Sequence, residues 1–390
     1  MTENHTGRFL TCVEMDRMSN LPRHLIGLIL ERLPVQDAVR TSILSKNWRY
    51  IWTTMTRLVF DRKFSENIVK VGAFGRNGFI RIINDVLNHH NGPILKFSLL
   101  IPRIDLDSFR EVDQTMLLLS RKSVKELALT NLNPGYEVPS YVSSCSELRK
   151  LELENFIFNP PLKFEVFSNL EDLILINIDF GANSCGAMVT LPQLRRLELV
   201  TCKNVYNFNI MASQLQALLV FGCHDAMLLK LLDAPHLNKY LSADEIPKWL
   251  PRAVNSLSNL ELEILHLSDL DQLHGALCLL RNSPNLERLY MRQSPRKEPW
   301  VTRYDVQAAS DHLESQDCLH QTFNRLQTVE IEFFDGSRPA LLFIKVLLAR
   351  SPSLEKLTIH PSRTSSNAHE SLNIVMQFAQ VSPKAKVIFL

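Results

Sequence analysis

Residues 148–156 read Leu148-Arg149-Lys150-Leu151-Glu152-Leu153-Glu154-Asn155-Phe156, and the spacing of the three leucines decides the fold. The same L-x-x-L-x-L unit recurs as Val124/Leu127/Leu129, Leu170/Leu173/Leu175, Leu194/Leu197/Leu199 and Leu215/Leu218/Val220. A weaker copy stands at Leu237/Tyr240, followed by Leu262/Leu265/Leu267 and Leu286/Leu289/Met291. These copies begin at 124, 148, 170, 194, 215, 237, 262 and 286, so the step stays between 21 and 25 residues. Two later copies, Leu326/Val329/Ile331 and Leu354/Leu357/Ile359, follow steps of 40 and 28, while Leu58/Phe60 and Ile94/Phe97/Leu99 start the array. A chance match to one unit is common; ten in approximate register are not.

A period of roughly 20–29 residues marks a leucine-rich solenoid. Alternate side chains of a strand face opposite ways, so the last two apolar positions of each unit point inward. A further inward slot follows three residues later, filled by Leu132, Phe156, Ile178, Cys202, Cys223, Leu270 and Phe334. Return segments differ: Asn159-Pro160-Pro161 is irregular, whereas Phe79–Leu87, Leu270–Leu280 and Ala340–Ala349 carry helical spacing. The expected fold class is therefore α/β, with parallel strands on the concave side and helices and irregular segments on the convex side.

Composition fits a folded protein with no strong electrostatic bias. The 390 residues are 45% hydrophobic and 22% charged, and 43 basic against 41 acidic residues leave a formal charge of +2. Such balance gives no reason to expect nucleic acid or an anionic membrane as partner. The apolar stretches around Ile94–Ile101 and Leu341–Ala349 are short and contain Lys96 and Lys345, so neither can span a bilayer. Seven cysteines without a C-x-x-C pair imply free thiols in a reducing compartment, the nucleus or the cytoplasm. The polar first 15 residues are expected to form a loose tail.

Residues 18–52 have a different character. Leu25, Ile26, Ile29, Leu30 and Leu33 share one helical face, Pro34 breaks that helix, Asp37 opens a second, and Ser45 can cap a third bearing Trp48 and Trp52. So short a module cannot bury all these side chains by itself, and a partner or the following solenoid must cover some of them. Leu21-Pro22, Ile29-Leu30, Leu33-Pro34, Asp37-Ala38-Val39, Leu44-Ser45-Lys46 and Trp48-Arg49 with Trp52 resemble an F-box of the type in plant F-box/leucine-rich-repeat proteins. Arg23 and Asn47 depart from that pattern at charged rim positions. At the other end, Phe323–Ile331, Phe343-Ile344-Lys345, Leu354–Leu357 and the closing Lys384–Phe389 resemble the FBD region of the same proteins.

The resemblance implies a loose tail over 1–15, a three-helix F-box over 16–55, a solenoid over 56–322, and FBD-like final repeats over 323–390 continuous with it. It implies membership of an SCF-type ubiquitin ligase, with a Skp-type adaptor and a cullin scaffold as partners and an unknown target protein on the repeats. On this reading the adaptor-binding residues are Leu21, Pro22, Ile26, Ile29, Leu30, Leu33, Pro34, Val39, Leu44, Trp48 and Trp52. Alternatives are a repeat scaffold without ligase assembly and a ligand-gated receptor.

Residues between the inward positions line the concave face. They include Ile174/Ile176, Leu219/Phe221, Ile264/His266/Ser268 and Arg288/Tyr290/Arg292, so an apolar middle has a basic and aromatic neighbour. Ile176, Leu219, Phe221, Arg288, Tyr290 and Arg292 are the expected target-binding residues, because contiguous apolar surface and exposed Tyr and Arg mark interaction sites. No nucleophile elbow, Walker loop, Rossmann fingerprint or zinc motif occurs, so no catalytic residue, metal or cofactor is expected. His89-His90 reads as an exposed helix end, Gly72, Gly75 and Gly78 as a turn, and the loop with Trp300 as solvated.

Overall fold

The computed structural model describes residues 21–71, 78–103, 110–159, 163–164, 167–181, 187–205, 208–223, 230–233, 236–243, 255–293, 305–315, 322–362 and 368–390. The expected tail, the Ser19-Asn20 helix entry, Gly72, Gly75, Trp300 and the cysteines at 12, 185 and 318 lie outside them.

Among the described residues, thirteen strands form one parallel sheet, laid side by side in chain order from Arg57–Phe60 to Lys386–Phe389. Register is held by the inward leucines. Leu151 lies beside Leu173, then Leu197, Leu218, Tyr240, Leu260, Leu289, Val329 and Leu357. All of these are buried in one continuous core. Full burial of each such side chain stabilises the fold by roughly 1.5–3 kcal/mol. The sheet runs through residue 322 without a break, since Arg288–Gln293 pairs with Thr328–Phe334.

The corner after each strand has its own device. Asn155, Asn177, Thr201 and Gly222 adopt φ of 63°, 50°, 51° and 61°. Asparagine and glycine tolerate this left-handed region better than most residues. The turn brings Phe156, Ile178, Cys202 and Cys223 inward, all buried. Asn177 Nδ2 donates to Asn155 Oδ1 at 2.5 Å, linking neighbouring corners. The Cys202 thiol donates to the Leu175 carbonyl at 3.3 Å, and the Cys202 amide donates to Cys223 Sγ at 3.2 Å. Both thiols are buried in the core as small packing groups, and the bond with Cys223 and then burial push the Cys202 thiol above its ordinary range.

Helices close the far side at both ends of the stack. Gly78–His89 and Arg110–Ser120 serve the first repeats; Leu270–Arg281, Val306–Glu314, Arg338–Arg350 and Ala368–Val375 serve the last. Asp269 caps Leu270–Arg281 by accepting from the Asp271 and Gln272 amides, and Ser337 caps Arg338–Arg350. Between them the returns form a second parallel sheet of Lys163–Phe164, Ala187–Thr190, Phe208–Met211 and Lys230–Asp233. Strands this short carry too little alternation to announce themselves in the sequence.

Three local expectations are corrected. The unit near residue 262 is Leu257/Leu260/Leu262, because Leu260 and Leu262 pair beside Tyr240 and Ser242 on one side and Leu289 and Met291 on the other. Leu265 therefore takes the inward slot assigned to Leu270, and His266 and Ser268 leave the open face to Asn259, Glu261 and Glu263, while the Ile264 side chain lies outside the described residues. At the third strand Asn131 turns inward in place of Leu132, its amide donating to the carbonyls of Asn133 and Asn155. His90 is buried rather than exposed, with Nε2 2.7 Å from the Met55 carbonyl.

In the N-terminal head, Pro22 and Pro34 immediately precede helices Arg23–Leu30 and Val35–Arg40. The third helix expected from Ser45 is divided: Tyr50 sits at φ 65°, and only a 3₁₀ turn, Ile51–Thr54, follows. Trp48, Ile26 and Leu30 pack into the core shared with the first repeat. Glu31 Oε1 accepts from the Thr56 amide at 2.6 Å and from its hydroxyl at 2.9 Å, while Thr53 O accepts from Asn91 N at 2.8 Å. These bonds fix the head on the solenoid.

Leu199→Ala should lower unfolding free energy by about 2–5 kcal/mol, because the rigid ladder around it cannot collapse into the cavity. The midpoint of a urea titration followed by circular dichroism checks this.

Candidate functional site

The head helix Arg23–Leu30 is apolar on more than one side, which a single packing partner cannot satisfy. The solenoid covers Ile26 and Leu30, and the opposite side stays open. Leu28 is 62% exposed, Leu44 61%, Ile43 87% and Tyr50 67%, with Leu25 and Ile29 beside them in sequence and also exposed. Pro22 and Pro34 are exposed; Leu21, Leu33, Val39 and Trp52 are half-buried. The assignment of Ile26, Leu30 and Trp48 to adaptor contact is corrected, since their surface is consumed by the protein's own core. Their role is to hold up the exposed side. Sequence reasoning passes over Leu28, Ile43 and Tyr50; apolarity over Ile26–Leu30, relieved only by Gly27, is the available signal for Leu28, and the sequence carries no comparable one for the other two.

The open face of the main sheet is organised in rows, because every strand is in register with the next. At the strand beginnings stand Arg57, Lys96 and Lys150, then Arg196, Arg288, Lys356 and Lys386, with Glu126 and Asp172 the acidic members among the described residues. Two residues further along each strand lie Glu152, Ile174, Glu198 and Leu219, and later Glu261, Tyr290 and Glu330. The row nearest the strand ends carries Glu154, Ile176, Val200 and Phe221, then Glu263, Arg292 and Glu332. The face is thus basic along one margin and acidic along the other, with Ile176, Val200 and Phe221 adjoining in the acidic margin. Arg196 reaches across to pair with Glu198.

Leu219 and Phe221 share one strand, and Ile176 lies on the next strand but one. Arg288, Tyr290 and Arg292 lie on one strand, separated from Phe221 by two others, or about 14 Å at ordinary strand spacing. Nor are these arginines a free basic patch. Arg292 Nε bonds Glu332 Oε2 at 2.9 Å, its Nη1 stands 4.0 Å from Glu263 Oε2, and its guanidinium lies 5.9 Å from the Phe333 ring centre. Arg288 donates to Asn259 Oδ1, and His360 lies 3.1 Å from Glu330. A depression of about 550 Å³ opens here, bordered by Glu261, Glu263, Arg288, Tyr290 and Glu330.

Burial, and then the hydrogen bond with Glu332, pushes the Tyr290 phenol up to about 12. The bond to Glu332 raises Arg292 further. For Glu332, burial pulls upward, but the bonds from Tyr290 and Arg292 outweigh it and leave the carboxylate below its usual range. The trio is a polar network fixed across two strands. Among the described residues no group of three or more His, Cys, Asp or Glu is placed to hold a metal, and no helix is long and apolar enough to cross a membrane.

Fold and surfaces together define a repeat solenoid carrying a small helical head. The F-box domain model matches residues 18–60, and the model for LRR repeats of the FBD-associated F-box protein At5g56370 matches 112–249. The chain is 31% identical to the Arabidopsis thaliana F-box/FBD/LRR-repeat protein At1g13570, covering 96% of this chain and 98% of that protein. It is 25% identical to At3g14710 of the same description and organism, over 96% of this chain and 94% of the relative. This chain belongs to the plant F-box/FBD/LRR-repeat family.

Tyr290 holds its proton above the ordinary value of 10.0, so the folded state is favoured below that pH and loses this contribution as pH climbs towards about 12. An ultraviolet titration of wild type minus Tyr290→Phe should show this late ionisation, and Glu332→Ala should move it to lower pH.

Proposed function

We propose that the chain is the substrate-recognition subunit of an SCF-type ubiquitin ligase. The head docks a Skp-type adaptor, the adaptor joins it to a cullin scaffold, and the open face of the repeats holds a target protein for ubiquitin transfer by other subunits. In this role the chain contributes binding rather than catalysis, and it works in the nucleus or the cytoplasm. The observation that carries the reading is the two-sided head: Ile26, Leu30 and Trp48 fasten it to the solenoid, while Leu28, Ile43, Leu44 and Tyr50 remain uncovered. Exposed apolar side chains held outward on a head whose other apolar side chains are buried are the arrangement of a docking surface. Leu21, Leu33, Val39 and Trp52 are half-buried and pack against the core.

The test is co-expression with a plant Skp-type adaptor followed by size-exclusion chromatography and binding titration. The wild-type chain should co-elute, and Leu28→Asp with Leu44→Asp should weaken binding at least about tenfold without changing the circular dichroism spectrum. Wild type that fails to co-elute would reduce the protein to a repeat scaffold. Separately, Ile176→Asp with Phe221→Asp should lose the target and keep the adaptor, measured by affinity capture on the adaptor-bound form.

A further inference from the structure

We infer that the depression over Asn259–Leu265, Arg288–Gln293 and Thr328–Phe334 receives an arginine side chain of the target protein, its guanidinium held between Glu261 and Glu330 and against the Tyr290 ring. This deepens the reading of the open face as the target site and rests on it.

The strand-end row of the same three strands already contains such an arrangement. Arg292 stands between carboxylates of the two neighbouring strands, with Nε 2.9 Å from Glu332 Oε2 and Nη1 4.0 Å from Glu263 Oε2. One row back, the register places Glu261 beside Tyr290 and Tyr290 beside Glu330. The carboxylate pair is repeated, but a phenol takes the place of the guanidinium. A neutral ring cannot balance the two charges, although it does attract a cation to its face. A cation from outside the chain would complete in the middle row what Arg292 completes in the next.

Charge and space agree with this. Four carboxylates, Glu261, Glu263, Glu330 and Glu332, are set around two guanidinium groups, Arg288 and Arg292. Arg288 directs its Nε to Asn259 Oδ1. His360 touches Glu330 at 3.1 Å, and a neutral imidazole there donates a hydrogen bond without cancelling the charge. Glu261, Tyr290 and Glu330 are half-buried, where salt screens a charge pair less than on open surface. The volume of about 550 Å³ falls within the roughly 300–1,000 Å³ of sites that take a small ligand. An anion would be repelled here, and an apolar side chain would strip water from the carboxylates and return no bond.

Among cations the spacing selects arginine. Glu261 and Glu330 lie two strands apart, about 10 Å between backbones. A planar guanidinium donates from both edges and stacks on aromatic rings, whereas an ammonium is a compact point charge.

The probes are blocked pentapeptides, Gly-Ser-Xaa-Ser-Gly, with arginine, lysine or citrulline at the centre. Citrulline keeps the shape of arginine and lacks its charge. Saturation-transfer NMR against the full chain should show the arginine peptide binding at least about threefold more tightly than the lysine one and about tenfold more tightly than the citrulline one. Raising the salt should narrow both gaps. Glu261→Gln with Glu330→Gln should weaken arginine binding at least about tenfold, while Glu126→Gln, elsewhere on the same face, should leave it unchanged. Tyr290→Arg should close the site to all three peptides, because the chain then supplies the cation itself. Circular dichroism verifies the fold of each variant. No binding by the arginine peptide, equal affinity for the citrulline peptide, equally tight binding of the lysine peptide or of spermidine, or indifference to the glutamine pair would overturn the inference. If the arginine peptide does not bind while Ile176→Asp with Phe221→Asp still loses the target, the arginine site falls and the receptor reading stands. If the peptide binds as expected while the wild-type chain fails to join the adaptor, the site stands and the ligase reading falls.

Discussion

Parallel strands can stack in register only if each repeat offers the same inward pair at the same height, and this constraint governs the molecule. Leu173 must meet Leu151 and Leu197, and Leu175 must meet Leu153 and Leu199, or the core opens. The left-handed corners at Asn155, Asn177, Thr201 and Gly222 let the chain leave each strand at an equivalent point. Asparagine and glycine accept that conformation readily, and Thr201 adopts it despite its branched β-carbon. Once register is set, everything on the other face of the sheet falls into straight rows, whether or not the residues there contribute to folding.

Those rows are where function is free to vary. Inward strand positions carry mostly leucine, isoleucine, valine, phenylalanine and methionine, with Tyr240 and Asn131 among them. Outward positions in the same strands carry lysine, glutamate, phenylalanine or arginine. The Tyr290–Arg292–Glu332 network uses this freedom to fix three polar groups across two strands. The head obeys the same division: Ile26, Leu30 and Trp48 serve the fold, and Leu28, Ile43 and Leu44 lie outside it.

Much of this was legible in the sequence because the repeat is written in residue type as well as spacing. Leu148, Leu170 and Leu194 announce their strands, and Asp269 and Ser337 announce helices that their side chains do cap. The failure near residue 262 came from overlap, since Leu257/Leu260/Leu262 and Leu262/Leu265/Leu267 fit the same template. Only neighbouring strands choose between them, and the choice exchanges His266 for Glu261 and Glu263 on the open face. Which side of the head is covered was equally invisible, because an apolar helix does not state which face meets its own chain. His90 looked exposed for a related reason: its partner, Met55, is distant in sequence and near only after the head docks.

The bonds from Glu31 to Thr56 and from Asn91 to Thr53 leave no slack between head and solenoid. The stack then behaves as a ruler with divisions of about 4.8 Å, one per strand. The strand bearing Ile176 lies four divisions from the first, so a target bound there would be offered at a distance set by repeat number alone. Evolution could lengthen or shorten that reach by gaining or losing a repeat near the head, without redesigning either end.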